Sequence, residues 1–401
     1  MSSLFFSTTA IYAVIYCTAA IFICRALPKG EFRGYSFAVL NMGFTYILFF
    51  ASDEKGAIAF GLSVLALAAI WVVIEKARCL EQSYWQLAFF APLLWLCLSK
   101  SLGIFTIVGL SYLSFRVAHL VWEVQLKRVC SVPFDQYLCH LFFVPTYLLG
   151  PISPFSYFHA SFNRLPEYAP PPVSEAGLRI LKGLVKFVVI AGVFQQMSAD
   201  NYLSDYRAHQ PLELVLAAFG FYVFLYANFS GANDVSIGMS ALMGILVKEN
   251  FDRPYLATSC TEFWKRWHVS LSEWMRDIVF SPLVGFLVRH FRRLPPIHAV
   301  AVSFMVVFLL IGWWHGNGWQ FWSIGFLFGA ALVVEHYADA VVRHYRLDKG
   351  PWSTAPGFRY LKVVMTNTYV ALVVSLMSIN WEEKGIGLGD LFGRVTAFVV
   401  K

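Results

Sequence analysis

Residues 297–335 read IHAVAVSFMVVFLLIGWWHGNGWQFWSIGFLFGAALVVE. Two long apolar runs, 297–314 and 317–335, lie on either side of the turn residues Gly316, Asn317 and Gly318. Each run is close to the ~20 residues that carry a helix across the hydrocarbon core of a bilayer. The glycines and asparagine interrupt the helix between them, so His315 stands at a break between two spans.

The same kind of run recurs along the whole chain, from 4–24 and 35–51 at one end to 360–380 and 390–400 at the other. Several are shorter than a span, such as 137–150, 236–247 and 278–288, and read as re-entrant or interfacial segments. The expected fold is therefore an all-α polytopic membrane protein with about 10–12 crossings. Composition agrees. Of 401 residues, 58% are hydrophobic and only 14% are charged, against roughly 45–50% and 25% in soluble domains. Disorder, collagen-like repeats and disulfide scaffolds are excluded on the same grounds. A β-barrel would alternate polar and apolar residues in short segments, which these continuous runs do not.

The net charge of +7 comes with cations in short loops. Arg25, Lys29 and Arg33, then Lys76 and Arg78, then Lys127 and Arg128 follow the first, third and fifth runs, while Asp53-Glu54-Lys55 follows the second. That alternation puts the basic loops in the cytoplasm and the N-terminus outside, and it removes any need for a nucleic-acid partner. The seven cysteines are scattered without a CxxC pair and read as buried thiols. No metal site is expected. Walker, GxSxG and HExxH motifs are missing, which disfavours NTP-driven pumping, serine hydrolysis and metalloprotease chemistry. Pro166, Pro170, Pro171 and Pro172 mark an extended linker over 164–175 within what reads as one membrane domain, 1–401.

The densest polar stretch is Thr258-Ser-Cys-Thr-Glu-Phe-Trp-Lys-Arg-Trp-His-Val-Ser-Leu-Ser-Glu-Trp-Met-Arg-Asp277. Ser259 and Glu262 have capping-box spacing, so a helix should start there. Phe263, Trp264, Trp267, His268, Leu271, Trp274 and Met275 share one broad helical face. An amphipathic helix of about 18 residues lying at the membrane interface, or dipping in from it, follows. By composition it reads first as a structural interfacial anchor and second as the mouth of a site. His315 reads either as a loop-tip residue or as an intramembrane ionisable group, which is a functional candidate by default. A neutral imidazole there is available as a base. Trp313, Trp314 and Trp319 fit an aromatic belt or a pocket wall. Asp234, at the end of an apolar run, needs a partner, for which Lys182 and Lys186 are the candidates. Pro145, Gly150 and Pro151 break a helix inside an apolar run, as a re-entrant turn would.

Phe251-Asp-Arg-Pro-Tyr255, Glu262-Phe-Trp-Lys-Arg-Trp-His-Val-Ser-Leu-Ser272, Arg276-Asp277 and Trp314-His-Gly316 together resemble the membrane-bound O-acyltransferase family. The resemblance extends upstream through Phe229-Ser-Gly231 with Asp234, Gly150-Pro-Ile152 and Gly109-Leu-Ser-Tyr-Leu-Ser-Phe-Arg116, and covers about residues 105–335. A second His-Gly common in bacterial members is Phe328-Gly329 here. The resemblance implies a ring of helices, with re-entrant and interfacial helices, around a central tunnel in a bacterial cytoplasmic membrane. It points first to the branch that carries D-alanyl groups to teichoic acid, and next to alginate-type O-acetyltransferases.

The resemblance further implies His315 and His268 as catalytic residues. Trp264, Trp267, Trp314, Asn317 and Asp234 would line the substrate path, and Lys265, Arg266 and Arg276 would meet the donor carrier. No cofactor is held. The acyl donor is a thioester on a phosphopantetheine carrier protein or on acyl-CoA, at the cytoplasmic side. The acceptor is an envelope polymer or an extracytoplasmic partner protein. His315 would act as general base on the acceptor hydroxyl, with Asn317 and the N–H groups of Gly316 and Gly318 near the oxyanion. A transporter or flippase would use the same intramembrane groups as a path and form no covalent product. An envelope-assembly scaffold would not need the histidines at all.

Overall fold

The computed structural model describes residues 2–51, 54–79, 83–103, 107–165, 169–197, 211–345 and 356–378, and these are overwhelmingly helical. The packing divides the chain into two compact units, Met1–Leu184 with Gly231–Asn250, and Val185–Ser230 with Phe251–Lys401.

The first unit contains α1 (Ser2–Ala26), α2 (Glu31–Phe49), α3 (Glu54–Cys79), α4 (Ser83–Leu102), α5 (Leu110–Gln125), α6 (Phe134–Leu141), α7 (Phe155–Phe162) and α8 (Val173–Leu184). At its centre α5 is buried on nearly every side, polar residues included. The reason lies in the non-helical backbone between α6 and α7. As Pro145, Gly150 and Pro151 suggested, the chain there makes only a single 3-10 turn, Val144–Thr146. Such backbone has carbonyls that no helix satisfies, and it survives at membrane depth only when protein groups bond them.

Arg116 supplies those bonds. Its Nη1 donates to the carbonyls of His140 at 2.9 Å and Leu141 at 2.8 Å, and its Nη2 to the Thr146 hydroxyl at 2.6 Å and the Thr146 carbonyl. In the last turn of α5, Glu123 accepts from the Phe155 N–H at 2.8 Å and from the Ser156 hydroxyl, capping α7. Asn41 of α2 accepts from the Val144 N–H at 3.0 Å. Helix α8 begins at Val173, three residues inside the linker expected to end at Glu175. Glu175 falls in its first turn, where a carboxylate complements the helix dipole.

The second unit continues α8 through a π-turn, Val185–Ile190, into α9 (Ala191–Gln195). It holds the part of α10 (Pro211–Leu242) up to Ser230, then α11 (Cys260–Arg266), α12 (Val269–Met275), α13 (Ser281–His290), α14 (Pro296–His315), α15 (Trp319–His344) and α16 (Pro356–Ser375). The opening stretch is the α14–α15 hairpin. Its helices touch backbone to backbone. A Cβ on Gly312 would lie 2.4 Å from the Phe321 carbonyl oxygen, and one on Gly325 2.5 Å from that of Phe308. Small residues at such crossings are how helices pack closely in lipid.

Five helices are long and apolar enough to cross a membrane among the described residues: Glu54–Lys76, Tyr84–Leu102, Leu212–Leu242, Pro296–His315 and Trp319–His344. Run counting missed how the others are used. The run 102–122 becomes the 16-residue, internally buried α5, and 137–150 becomes an eight-residue helix and a turn. The runs 212–229 and 236–247 merge into the single α10, so Asp234 sits inside a helix rather than at the end of one. The expected run 390–400 lies outside the described residues.

Candidate active site

The polar stretch that carries the site does not fold as one helix. Ser259 caps α11 as expected, its hydroxyl accepting from the Glu262 N–H at 3.0 Å. The Glu262 carboxylate instead accepts from the N–H and hydroxyl of Thr258, at 2.8 and 2.7 Å, and pairs with Arg266 at 2.8 Å. After seven residues the helix stops. Trp267 is extended, and His268 adopts a left-handed φ of 45° before α12 starts at Val269. Trp267 forms an antiparallel bridge with Phe251, and the Asp252 N–H donates to the Arg266 carbonyl at 2.9 Å. The bridge draws the chain out of the helix and turns His268 inward. A non-glycine residue in this backbone region costs energy and is a common mark of a functional site.

His268 is buried, at 4% exposure, with its ring edge-on to Phe229 at 4.8 Å between centroids. Burial, and then the neighbouring His315, push its pKa down to about 3, so it is neutral around pH 7. His315 ends α14, its side chain exposed and its ring 4.7 Å from that of Trp314. Both histidines line one narrow cavity of about 90 Å³, walled mainly by aromatic and aliphatic side chains. Trp264 and Trp267 line it too, with Phe229 and Phe328.

The remaining expected residues lie elsewhere. Trp314 packs on His315 but does not line the cavity, and neither does Asn317, exposed in the hairpin turn. Asp234 belongs to the first unit. Arg179, which was not among its expected cations, pairs with it at 3.1 Å. Arg179 also forks onto Glu249 with two bonds of 2.5 Å. Sequence spacing could not find this pair, because it joins α8 to a carboxylate 55 positions away. Lys186 lies 5.9 Å over the Tyr226 ring. Of the three docking candidates, Lys265 and Arg276 are exposed, while Arg266 is held by Glu262 and, at 3.5 Å, by Asp252. Arg276 pairs with the adjacent Asp277 at 2.8 Å.

One positioning residue was not singled out from sequence. Glu335 of α15 accepts from the backbone N–H groups of Cys260 at 2.6 Å and Thr261 at 2.8 Å, and from the Thr261 hydroxyl at 2.8 Å. It ties the start of α11, and so the lever that carries His268, to the α14–α15 hairpin. The available signal was a lone carboxylate ending an apolar run. Glu335→Gln is expected to destabilise the protein by about 1–3 kcal/mol, because the amide nitrogen that replaces one carboxylate oxygen cannot accept from the Cys260 or Thr261 donors. A thermal unfolding curve in detergent identical to that of the wild type would show that the cap is dispensable.

The chain is 28% identical to the teichoic acid D-alanyltransferase of Streptococcus thermophilus over 240 residues, 57% of this chain and 56% of that protein. The match therefore spans little more than half of that relative. It is 26% identical to the teichoic acid D-alanyltransferase of Bacillus subtilis over 368 residues, 84% of this chain and 90% of that one. It is 31% identical over 213 residues to the Azotobacter vinelandii protein named "Probable alginate O-acetylase AlgI", 53% of this chain and 39% of that one. The model of one family matches residues 55–378, a range that holds both histidines, the α11–α12 break and the whole α14–α15 hairpin. The chain belongs to the membrane-bound O-acyltransferase family.

Proposed function

We propose that this protein moves an acyl group from a thioester donor at the cytoplasmic face of a bacterial cytoplasmic membrane to a hydroxyl of an envelope polymer outside, with D-alanyl as the favoured group. The observation that carries the reading is the cavity in which His268 and His315 meet, inside the segment matched by the family. His315 takes the proton of the attacking hydroxyl. The hydroxyl oxygen bonds to the thioester carbonyl carbon, the C–S bond breaks, and the thiolate receives the proton. His268, neutral and locked by its backbone, orients the thioester beside it. The apolar wall keeps water from competing as nucleophile.

D-alanyl transfer is supported by likeness to the two D-alanyltransferases over most of this chain or half of it. Acetyl transfer is the second reading, supported by the 31% identity to the O-acetylase relative. The two are told apart by mild-base release and mass spectrometry of ester-linked acyl groups from envelope polymers, with and without the gene. Loss of D-alanine is the expected result. Loss of acetate moves the protein to the second reading, and no change in either favours transport without acyl chemistry.

A carrier-protein donor would be acidic and would be steered by a basic rim. Lys265 is exposed next to the buried site residues. Lys265→Glu is therefore expected to weaken carrier binding several-fold, most strongly at low salt. Equal affinity of the two proteins at low ionic strength would remove Lys265 from the docking surface.

A further inference from the structure

In the first unit three helices end at one place, and arginines close it. Helix α1 stops at Ala26, α7 at Phe162 and α10 at Leu242. Arg25 donates from Nε to the Leu242 carbonyl at 2.7 Å and from Nη2 to that of Ala241 at 3.3 Å. Arg164 donates from Nη2 to the carbonyls of Cys24 and, at 3.1 Å, of Arg25. A third arginine, Arg33, is 1% exposed, stacks 4.5 Å over the Phe162 ring and bonds the Phe162 carbonyl at 2.8 Å. Arg33 and Arg164 repel each other, and Asp135 lies within electrostatic reach of Arg33. Among the described residues, no carboxylate forms an ion pair with any of the three. The two that reach the surface, Arg25 and Arg164, bond only helix-end carbonyls, and each helix end offsets about half a unit charge.

Arg25 and Arg164 are exposed and line a pocket of about 380 Å³ with Ser161, Ala169, Pro170 and Met243. A guanidinium holds five N–H donors in a rigid fork. The carbonyl bonds leave Nη1 of Arg25, and Nε and Nη1 of Arg164, with no acceptor among the described residues. The same bonds hold both groups in place, so little side-chain freedom is left to lose on binding. Arg25 also ends an apolar stripe. Phe22, Ile15 and Ile11 precede it on one face of α1, and all three are exposed. Thr18 lies between them and turns its hydroxyl onto the Val14 carbonyl at 2.9 Å. A cationic pocket at the foot of an apolar stripe has the form of an amphiphile's complement. We infer that the pocket binds the phosphate of an anionic phospholipid headgroup, with one acyl chain along the stripe. The phosphate oxygens accept the remaining N–H groups, whose fork suits them. Basic pockets among membrane helices take such headgroups. The site lies in the other unit from the histidine cavity and does not depend on acyl chemistry.

The test uses the full-length protein, delipidated in detergent. It is titrated with dioleoyl phosphatidylglycerol, dioleoyl phosphatidylcholine or inorganic phosphate, and bound mass is counted by native mass spectrometry. Phosphatidylglycerol should bind about tenfold more tightly than the zwitterionic lipid. Arg25→Gln should lower its affinity by roughly tenfold. Because Arg25 also bonds the end of α10, a second variant leaves both arginines in place. Ala169→Glu sets a competing carboxylate in the pocket lining and should lower the affinity at least as far. Arg289→Gln removes an exposed cation of α13 in the second unit and should change nothing. Wild-type affinity for phosphatidylglycerol in Ala169→Glu overturns the site, and so does an equal loss in Arg289→Gln, which would mean attraction to surface charge in general. Equal affinity for the two lipids also overturns it. Inorganic phosphate that displaces phosphatidylglycerol at equal concentration makes the pocket a free-phosphate site and overturns the lipid assignment.

Discussion

His315→Ala is expected to lower ester formation by about 10²–10⁴-fold, the usual contribution of a general base, while the protein still reaches the membrane at its normal level. The prediction is clean because of where the residue sits. His315 is the last residue of α14 and its side chain is exposed, so removing the imidazole leaves no cavity in the core. Its neighbours in the hairpin are held by other means, namely the close approach of Gly312 and Gly325 to the opposite backbone. His268 offers no such separation. It is buried against Phe229 in a left-handed backbone conformation between α11 and α12, so its replacement disturbs folding and chemistry together. The comparison that decides is the rate of acyl ester formation per mole of protein in vesicles. Turnover by His315→Ala at the wild-type rate would remove His315 from catalysis.

Arg116→Met is expected to cost at least about 3 kcal/mol, the largest stability effect of any single change proposed for this chain. The guanidinium is almost wholly buried and bonds three carbonyls and one hydroxyl of the irregular segment after α6. Methionine matches the length of the stem and leaves all four acceptors without it. Each buried acceptor left dry costs about 1–3 kcal/mol, reduced by whatever local relaxation allows. Against a total stability of about 5–15 kcal/mol, that is a fifth to more than half of what holds the protein folded. Arg116→Lys should fall between, because an ammonium cannot fork to acceptors on two sides as a guanidinium does. Heating the detergent-extracted protein and following the monodisperse fraction by size exclusion gives the answer. Equal midpoints for the wild type and Arg116→Met would mean that water or other groups satisfy that backbone.

Much of this could be read from residues in order. Long apolar runs report a local quantity, the transfer free energy of consecutive side chains, so the membrane class and the α14–α15 hairpin are legible in the residues alone. So was the broken helix at Pro145, Gly150 and Pro151, because those residues restrict their own backbone. The motif residues His268 and His315 were legible as a family pattern, with Trp264 and Trp267 beside them, and the cavity gathers all four. What failed was whatever depends on a partner far along the chain. Helical periodicity made residues 259–277 one amphipathic helix, because each residue alone tolerates that conformation. The break at Trp267–His268 follows from pairing with Phe251, sixteen positions earlier, which periodicity does not see. Arg179 was not foreseen as a partner of Asp234, because folding within the first unit brings it there from 55 positions away.

The sequence by itself determined that this chain is an all-α membrane protein of the acyltransferase type and which two imidazoles to watch. Apolar length and motif order are properties of neighbouring residues and need no fold to be read. Only the tertiary structure decided that Arg116, Glu123 and Glu335 bond the backbone of distant segments. A polar group in a low-dielectric interior takes its role from the group that satisfies it, and that partner is chosen by packing in three dimensions.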